Sequence, residues 1–125
     1  MRNIKDKAVA NLDELFSNVT DSYPRQWAEL PAVQITEEEN NVYEAVERDG
    51  QLIEAVSYIR FRIDIYHNAS TSASALLVEQ ALGISGLGFK RTSCKDIDDP
   101  SGIKHKQIRY EGYVNADNDF VEWSR

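Results

Sequence analysis

The chain has 125 residues, 42% of them hydrophobic and 10% aromatic, and its formal net charge at pH 7 is −7. This size and composition predict a single globular domain, residues 1–125, that folds without disulfides or a structural metal. The acidic balance argues against a broad interface with nucleic acid or with an anionic membrane, so we expect neither as a specific partner.

The N-terminal residues predict an amphipathic helix. Apolar side chains recur there at helical spacing: Ile4, Ala8, Leu12, Leu15, Phe16 and Val19. The pattern places the helix at about residues 4–20, with Asn3 as N-cap and Asp6 in the first turn, where the helix dipole favours a negative charge. No apolar run approaches the roughly 20 residues needed to cross a bilayer. Neither secretion by a standard signal nor membrane insertion is therefore expected.

A short connector follows this helix. Pro24 and Pro31 bracket residues 25–30, which are too few for another long element. We expect Trp27, within the connector, to close the edge of the core.

The next segment predicts a strand and then an acidic turn. Val33 and Ile35 alternate with polar neighbours, which is typical of a short strand over residues 33–36. The polar residues 37–41 then predict an exposed turn. Its acidic side chains form a candidate surface: Glu37, Glu38 and Glu39.

Two longer strands, about residues 42–48 and 52–67, flank the dipeptide Asp49-Gly50. This dipeptide favours a two-residue type I′ turn, so we expect an antiparallel hairpin. A fully extended second arm would reach about 50 Å, whereas a compact domain of this length has a radius of gyration of about 14 Å. The hairpin must therefore bend, carry a bulge, or project towards a neighbour.

The second arm of the hairpin alternates strictly between two faces. One face is predicted to be core: Ile59, Phe61, Ile63 and Ile65. The other face carries aromatic and charged side chains: Tyr58, Arg60, Arg62, Asp64 and Tyr66. Because tyrosine and arginine are enriched at protein interfaces, this face is a candidate subunit or partner contact. A solvated face with cross-strand ion pairs is the alternative.

A second helix is predicted to begin near Ser70 or Thr71, either of which can cap it, and to end at Gly83 and Gly86. Its periodicity predicts a buried set: Ala73, Leu76, Leu77, Ala81 and Ile84.

Two strands, about residues 89–94 and 104–115, are predicted to follow, joined by a turn over residues 96–102. Three apolar residues of the last strand share a face: Ile108, Tyr110 and Val114. Residues 118–125 form a C-terminal tail with more apolar surface than a free terminus needs. We expect Trp123 and its neighbours to dock on this subunit or on the next one.

In order, the elements are α-β-β-β-α-β-β. They predict an α+β fold with one mainly antiparallel, curved sheet of about five strands and two helices packed on one face. The second face of the sheet is then open to solvent or to partners.

Residues with catalytic or metal-binding chemistry form no coherent motif. His67 and His105 lie at predicted strand ends and match no ligand or nucleophile pattern. Residues 96–99 contain three aspartates, but Pro100 stands where a calcium loop needs a ligand, so a turn is predicted. Cys94 is the single cysteine, so an intrachain disulfide is excluded, which suits a reducing cytosol. We expect Cys94 to lie in a strand.

We therefore expect no enzymatic activity, cofactor or metal. A small metal-dependent hydrolase or nuclease that uses Glu37, Glu38 or residues 96–99 is the alternative from a different functional class. A general binding module for a cellular protein, with the outer strand face as its site, is a third hypothesis.

Short motifs occur in a characteristic order: Leu30-Pro31 before a strand, the acidic segment 37–41, Ile63-Asp64-Ile65-Tyr66, a helix, and Gly88-Phe89-Lys90-Arg91-Thr92. Over about residues 4–117 this order resembles the tail terminator or minor tail (head–tail joining) proteins of long-tailed bacteriophages and related contractile particles. The motifs are structural rather than catalytic.

The resemblance implies a ring, commonly a hexamer, that caps the finished tail tube, stops its polymerisation and offers a docking surface to the head. The implied partners are further copies of the chain, the major tail tube protein and a head–tail connector or neck protein. The implied location is the virion tail or neck, assembled in the cytoplasm of the bacterial host. DNA would pass through the ring, and the acidic segment would face the lumen or the solvent. A head completion or stopper protein of the connector is the close alternative.

Overall fold

A computed structural model describes residues 3–21 and 30–123. Its elements in chain order are α1 (Lys5–Asp13), β1 (Val19–Thr20), β2 (Ala32–Arg48), β3 (Gln51–His67), α2 (Ser72–Leu82), β4 (Lys90–Ile97), β5 (Lys104–Asn115) and β6 (Val121–Glu122). The predicted α+β class and the order α-β-β-β-α-β-β are confirmed, with β6 as a short addition. The predicted connector with Pro24 and Trp27 lies outside the described residues.

The strands form one sheet in the order β1-β2-β3-β5-β4, and β6 pairs with β5. Only β1 runs parallel to its neighbour, opposite Val33 and Gln34 of β2. The central strand β3 pairs with β2 along its whole length and with β5 from Val56 to His67. The tip of the hairpin formed by β2 and β3 therefore extends beyond the end of β5.

The prediction of an exposed acidic turn over residues 37–41 is wrong, because these residues belong to β2, a continuous strand of 17 residues. The predicted strands over residues 33–36 and 42–48 are both part of β2. The short strand β1 brings the number of strands before the second helix to the predicted three. Glu37 and Glu39 face successive residues of β3, and the extra residue between them, Glu38, forms a bulge. The long antiparallel ladder pairs the backbone of these polar residues, which local propensity alone assigns to a turn.

The first helix is shorter than predicted, since it ends at Asp13 rather than near residue 20. The predicted N-cap is also wrong. Ile4 occupies that position without a side-chain cap, while the Asn3 amide donates to the Asp6 carboxylate at 3.0 Å. The predicted apolar stripe is confirmed at its centre, because Ala8 and Leu12 are fully buried.

The second helix begins where predicted, and its predicted buried face is confirmed only at Ala81 and, in part, at Leu77. Its buried residues are Ser74, Val78, Ala81 and Leu82. Leu76 and Ile84, predicted to be buried, are each 73% exposed, and Ala73 is exposed as well. The buried stripe is therefore rotated relative to the predicted one, and the Ala81 carbonyl within it accepts a hydrogen bond from Asn11 of α1 at 3.1 Å.

The core lies between the helices and one face of the sheet. The predicted core residues of β3, Ile59, Phe61, Ile63 and Ile65, are all fully buried. The Phe61 ring packs edge-on against Phe89, with centroids 5.4 Å apart. Within the described ranges, neither helix has the length and apolar character that crossing a membrane requires.

The C-terminal segment docks on its own chain, one of the two predicted outcomes. The strand β6 pairs with β5, and the Trp123 indole N–H donates to the Gly88 carbonyl at 2.8 Å. Gly112 makes room for this segment, because a Cβ there would lie 2.6 Å from a methyl group of Val121.

Candidate functional site

The outer face of β3 is less open than predicted. Tyr58, Arg60 and Arg62 are half-buried. Asp64 and Tyr66 are only 3% and 4% exposed, so the expectation that they face a partner is wrong. Side chains from the flanking strands β2 and β5 cover this part of the face.

Glu38 is the centre of an ion network on this face. Arg109 binds both of its carboxylate oxygens, with Nε–Oε1 at 3.0 Å and Nη2–Oε2 at 3.2 Å. Arg60 Nε lies 3.1 Å from Oε1, and Arg62 Nη1 lies 3.5 Å from Oε2. The hydrogen bonds from Arg109, together with the charges of Arg109 and Arg60, hold the pKa of Glu38 below its ordinary value.

The register of three strands brings three arginines to this carboxylate. Residue 38 is inserted between Thr36, which pairs with Arg62, and Glu39, which pairs with Arg60. Arg109 lies directly opposite Arg62 on β5. Two like charges at facing positions would repel each other, and the Glu38 carboxylate between them neutralises that repulsion.

A second cluster surrounds the buried carboxylate of Asp64. His105 Nε2 lies 2.7 Å from Asp64 Oδ1, and the Gln107 amide donates to the same oxygen at 3.1 Å. Arg62 Nε donates to Oδ2 at 3.0 Å. The Tyr66 ring stacks on the His105 ring, with centroids 4.4 Å apart. This role of His105 has no local signal in the sequence, because it follows from the register of β3 against β5.

An aromatic row continues the face towards the hairpin. The Tyr113 ring lies 5.4 Å from Tyr58 and 4.6 Å from Tyr43. The Tyr58 hydroxyl donates to the Glu111 carboxylate. Burial and this hydrogen bond to Glu111 raise the pKa of Tyr58 to about 12. Together the two clusters and the aromatic row tie β2, β3 and β5 to one another, so the cross-strand alternative describes this face best.

Among the described residues, a group of exposed large apolar side chains lies elsewhere, on the end of the hairpin. We call residues 42–55 the hairpin arm. Asp49 and Gly50 have φ angles of 52° and 78°, so the predicted type I′ turn is confirmed. The arm exposes four large apolar side chains: Val42 (61%), Tyr43 (45%), Leu52 (80%) and Ile53 (41%). Leu52 and Ile53 are consecutive strand residues, so the arm is apolar on both faces.

The arm is also a two-stranded ribbon. The last pair between β3 and β5 joins Val56 and Asn115, and β1 ends opposite Gln34. In the part of the chain that the structure describes, no strand pairs with either outer edge of the arm, and the Ala116 N–H meets that edge at the Ala55 carbonyl, at the base of the arm. Its charged residues are mostly acidic: Glu44, Glu47, Arg48, Asp49 and Glu54. The long hairpin is predictable from the sequence, whereas no local pattern marks its tip as a site.

The predicted metal candidates do not converge. Among the described residues, no group of three or more His, Cys, Asp or Glu side chains is placed to hold a metal ion. Glu38 is bound by arginines, as described above. Asp96 pairs with Lys106 at 2.9 Å, and Asp99 accepts hydrogen bonds from Ser101 within a turn. Cys94 is an exposed residue of β4.

Comparisons with known proteins add no family to this picture. The chain matches no protein-family model, and a search of curated proteins gave no significant match. Function is therefore inferred from the geometry described above and from the motifs of the sequence.

Proposed function

We propose that the protein is a structural assembly protein whose copies join through the hairpin arm into a ring. Following the resemblance of its motifs, the ring caps the tail tube of a phage or phage-like particle, ends tube polymerisation and joins the tail to the head or neck. The observation that carries the proposal is the arm, with four exposed large apolar side chains at the end of a two-stranded ribbon.

An arm of this kind is poorly suited to an isolated monomer. A two-stranded hairpin without a third strand or a packed helix is at best marginally stable in water. Exposed apolar patches and open strand edges mark sites of association or aggregation. Contact with a neighbouring subunit would cover Leu52, which is 80% exposed, and would give the ribbon the packing it lacks.

The ion network gives the arm a fixed base. Glu38 joins β2 to β3 and β5 just before the arm begins, and the Tyr43 ring at the start of the arm packs at a tilt against Tyr113 of β5. An interacting element placed on rigid supports loses less conformational entropy when it binds. In this proposal, Arg60 and Arg62 support the interface rather than form it.

The charge of the protein also suits a ring through which DNA passes. A formal net charge of −7 favours passage of DNA over its retention, since phosphate binding requires clusters of basic residues.

The experiment is electron microscopy of negatively stained tail tubes incubated with the full chain, combined with mass measurement of the bound species. We expect caps of closed symmetry at tube ends. A chain that remains monomeric and never binds tube ends would contradict the proposal. A parallel pull-down with the portal-side connector separates the roles, because a stopper protein would bind the connector in preference to the tube.

A further inference from the structure

The sheet has a second distinctive surface at its opposite edge. A groove of about 400 Å³ lies between α2 and β4, and we call it the α2–β4 groove. Residues that line it include Ala75, Leu76, Arg91, Cys94, Lys106 and Ile108. Leu76 is 73% exposed. The groove thus combines an apolar surface with two cationic side chains.

The groove and the hairpin arm carry opposite charge. The charged side chains that line the groove are both basic, Arg91 and Lys106, in a chain that is acidic overall. Lys90 and Lys95 of β4 pair with Glu111 and Gln107 and lie on the other face of the sheet. The arm has four acidic residues and one basic residue. Apolar groups flanked by charges of opposite sign are the pattern expected of complementary interface surfaces.

A chain cannot place its arm in its own groove. Lys106, in the groove, is the register partner of Ile65 on β3. Ile65 lies twelve residues along the same strand from Ile53 in the arm. At about 3.3 Å per residue, the arm tip is about 40 Å away from the groove. Any contact between the two surfaces therefore joins two different copies.

We propose that Leu52 and Ile53 at the tip of one copy occupy the α2–β4 groove of the next copy. The carboxylates of the arm then approach Arg91 and Lys106, whose present partners are Glu79 and Asp96. The free edge of β4, which no strand covers in the described part of the sheet, lies beside the groove and offers further backbone groups. This docking mode rests on the proposed ring function and names its subunit contact.

The contact has a definite symmetry. Each copy contributes an arm to one neighbour and a groove to the other, so the contact is heterologous. Repeated contacts of this type generate a ring when the rotation closes and a filament when it does not. A dimer with two equivalent arms in contact is a different arrangement and is distinguishable by experiment.

The single natural cysteine lies in the groove, which allows a direct test by disulfide trapping. Leu52→Cys places a second thiol at the arm tip of the full chain, at a position where the exposed side chain contributes little to folding. Under mild oxidation we expect a ladder of covalent multimers on a non-reducing gel. The matched control is Ser101→Cys, which adds an exposed thiol in the turn between β4 and β5.

We expect about tenfold more multimer from Leu52→Cys than from the control, because docked thiols meet at a high effective concentration. Removing the groove thiol by Cys94→Ser in the same chain should abolish the ladder. A ladder that persists after Cys94→Ser shows contact between arm tips and overturns the docking mode. The docking mode is also overturned if Leu52→Cys gives no ladder. It is overturned as well if the arm tip forms a disulfide with the tube protein alone.

Failure of the docking mode and failure of the ring function give different results. If the wild-type chain still caps tube ends but the thiol introduced by Leu52→Cys forms no disulfide with Cys94, the ring function stands and the groove is rejected. If the wild-type chain neither assembles nor binds tubes, both proposals are rejected.

Discussion

Glu38 and Arg109, which lie on different strands and 71 positions apart, form a bidentate ion pair with N–O distances of 3.0 and 3.2 Å. Glu38 is the inserted residue of the bulge in β2 and lies on the face of the sheet that carries Arg62 and Arg109. It links the first strand of the hairpin to β5 across β3. This carboxylate therefore ties the base of the hairpin arm to β5, together with the contact between the Tyr43 and Tyr113 rings.

Glu38→Gln should destabilise the fold. The substitution leaves Arg60, Arg62 and Arg109 close together without the carboxylate that neutralises them. Because the Glu38 side chain is only 15% exposed, we expect a loss of about 2–3 kcal/mol in the free energy of unfolding, measured by urea denaturation. The matched control is Glu39→Gln, which removes one ion pair at 3.5 Å and should cost less than about 1 kcal/mol. Equal losses for the two variants would show that the bulge carboxylate has no special role.

Stability should fall in acid through the same carboxylate. The pKa of Glu38 is lowered from its ordinary value of 4.5 in the folded protein, mainly by hydrogen bonds from Arg109. Its contribution is therefore complete above pH 4.5 and is lost as the pH falls below that value through the depressed pKa. Unfolding followed from neutral pH into acid should show a steeper loss for the wild-type chain than for Glu38→Gln. Parallel curves would argue against this linkage.

Reversing both arginines on β3 should also destabilise the protein. The pattern of the sequence, taken as an interface, predicts that Arg60→Glu together with Arg62→Glu abolishes assembly and leaves stability nearly unchanged. The intrachain ion pairs predict the opposite, since the new carboxylates would lie beside Glu38 and Asp64. We expect a loss on the order of 3 kcal/mol in chemical denaturation.

The control for this variant is Arg48→Glu, whose ion pair with Asp117 is exposed and should contribute less than about 1 kcal/mol. If the double variant is as stable as the wild-type chain but fails to assemble, the two arginines belong to the interface after all.

Gly112→Ala should release the C-terminal segment. The added methyl group would lie 2.6 Å from Val121 and 3.0 Å from the Phe89 ring, so one of these neighbours must move. We expect a cost of about 1–3 kcal/mol and faster proteolysis within residues 116–123. Gly50→Ala is the comparison, because its Cβ meets no atom within 4 Å and its cost comes from the positive φ angle alone. That variant should leave cleavage of the C-terminal segment unchanged, and equal cleavage of both would contradict the packing role of Gly112.

Those parts of the fold that depend on local pattern could be predicted from the sequence. Alternation along β3 identified its buried face, and the dipeptide at positions 49–50 identified the hairpin turn. The continuity of β2 could not be predicted, because Glu and Asn disfavour strands locally and only the ladder with β3 compensates. The face of α2 was ambiguous, because Leu76, Leu77 and Val78 are consecutive and periodicity does not choose among them.

The candidate site was predictable only in part. The length of the hairpin pointed to a projecting arm or a bulged strand, and the structure has both. The partners of Arg60 and Arg62 depend on a bulge and on the register with β5, which no local pattern specifies. Charge and aromatic content marked the outer face of β3 as unusual, yet they did not distinguish a contact between subunits from a network within one chain.

The central claim is that the hairpin arm joins copies of the chain, and its most direct test is the mass of the species bound at tail tube ends. The arm variant combines Leu52→Glu with Ile53→Glu. The control is Phe120→Glu, because the Phe120 side chain lies outside the arm and is 68% exposed. We predict that the wild-type chain and the control form closed multimers, while the arm variant remains a single chain and unfolds at the same temperature as the wild type. A wild-type chain that stays monomeric at tube ends, or an arm variant that assembles as the wild type does, would contradict the account.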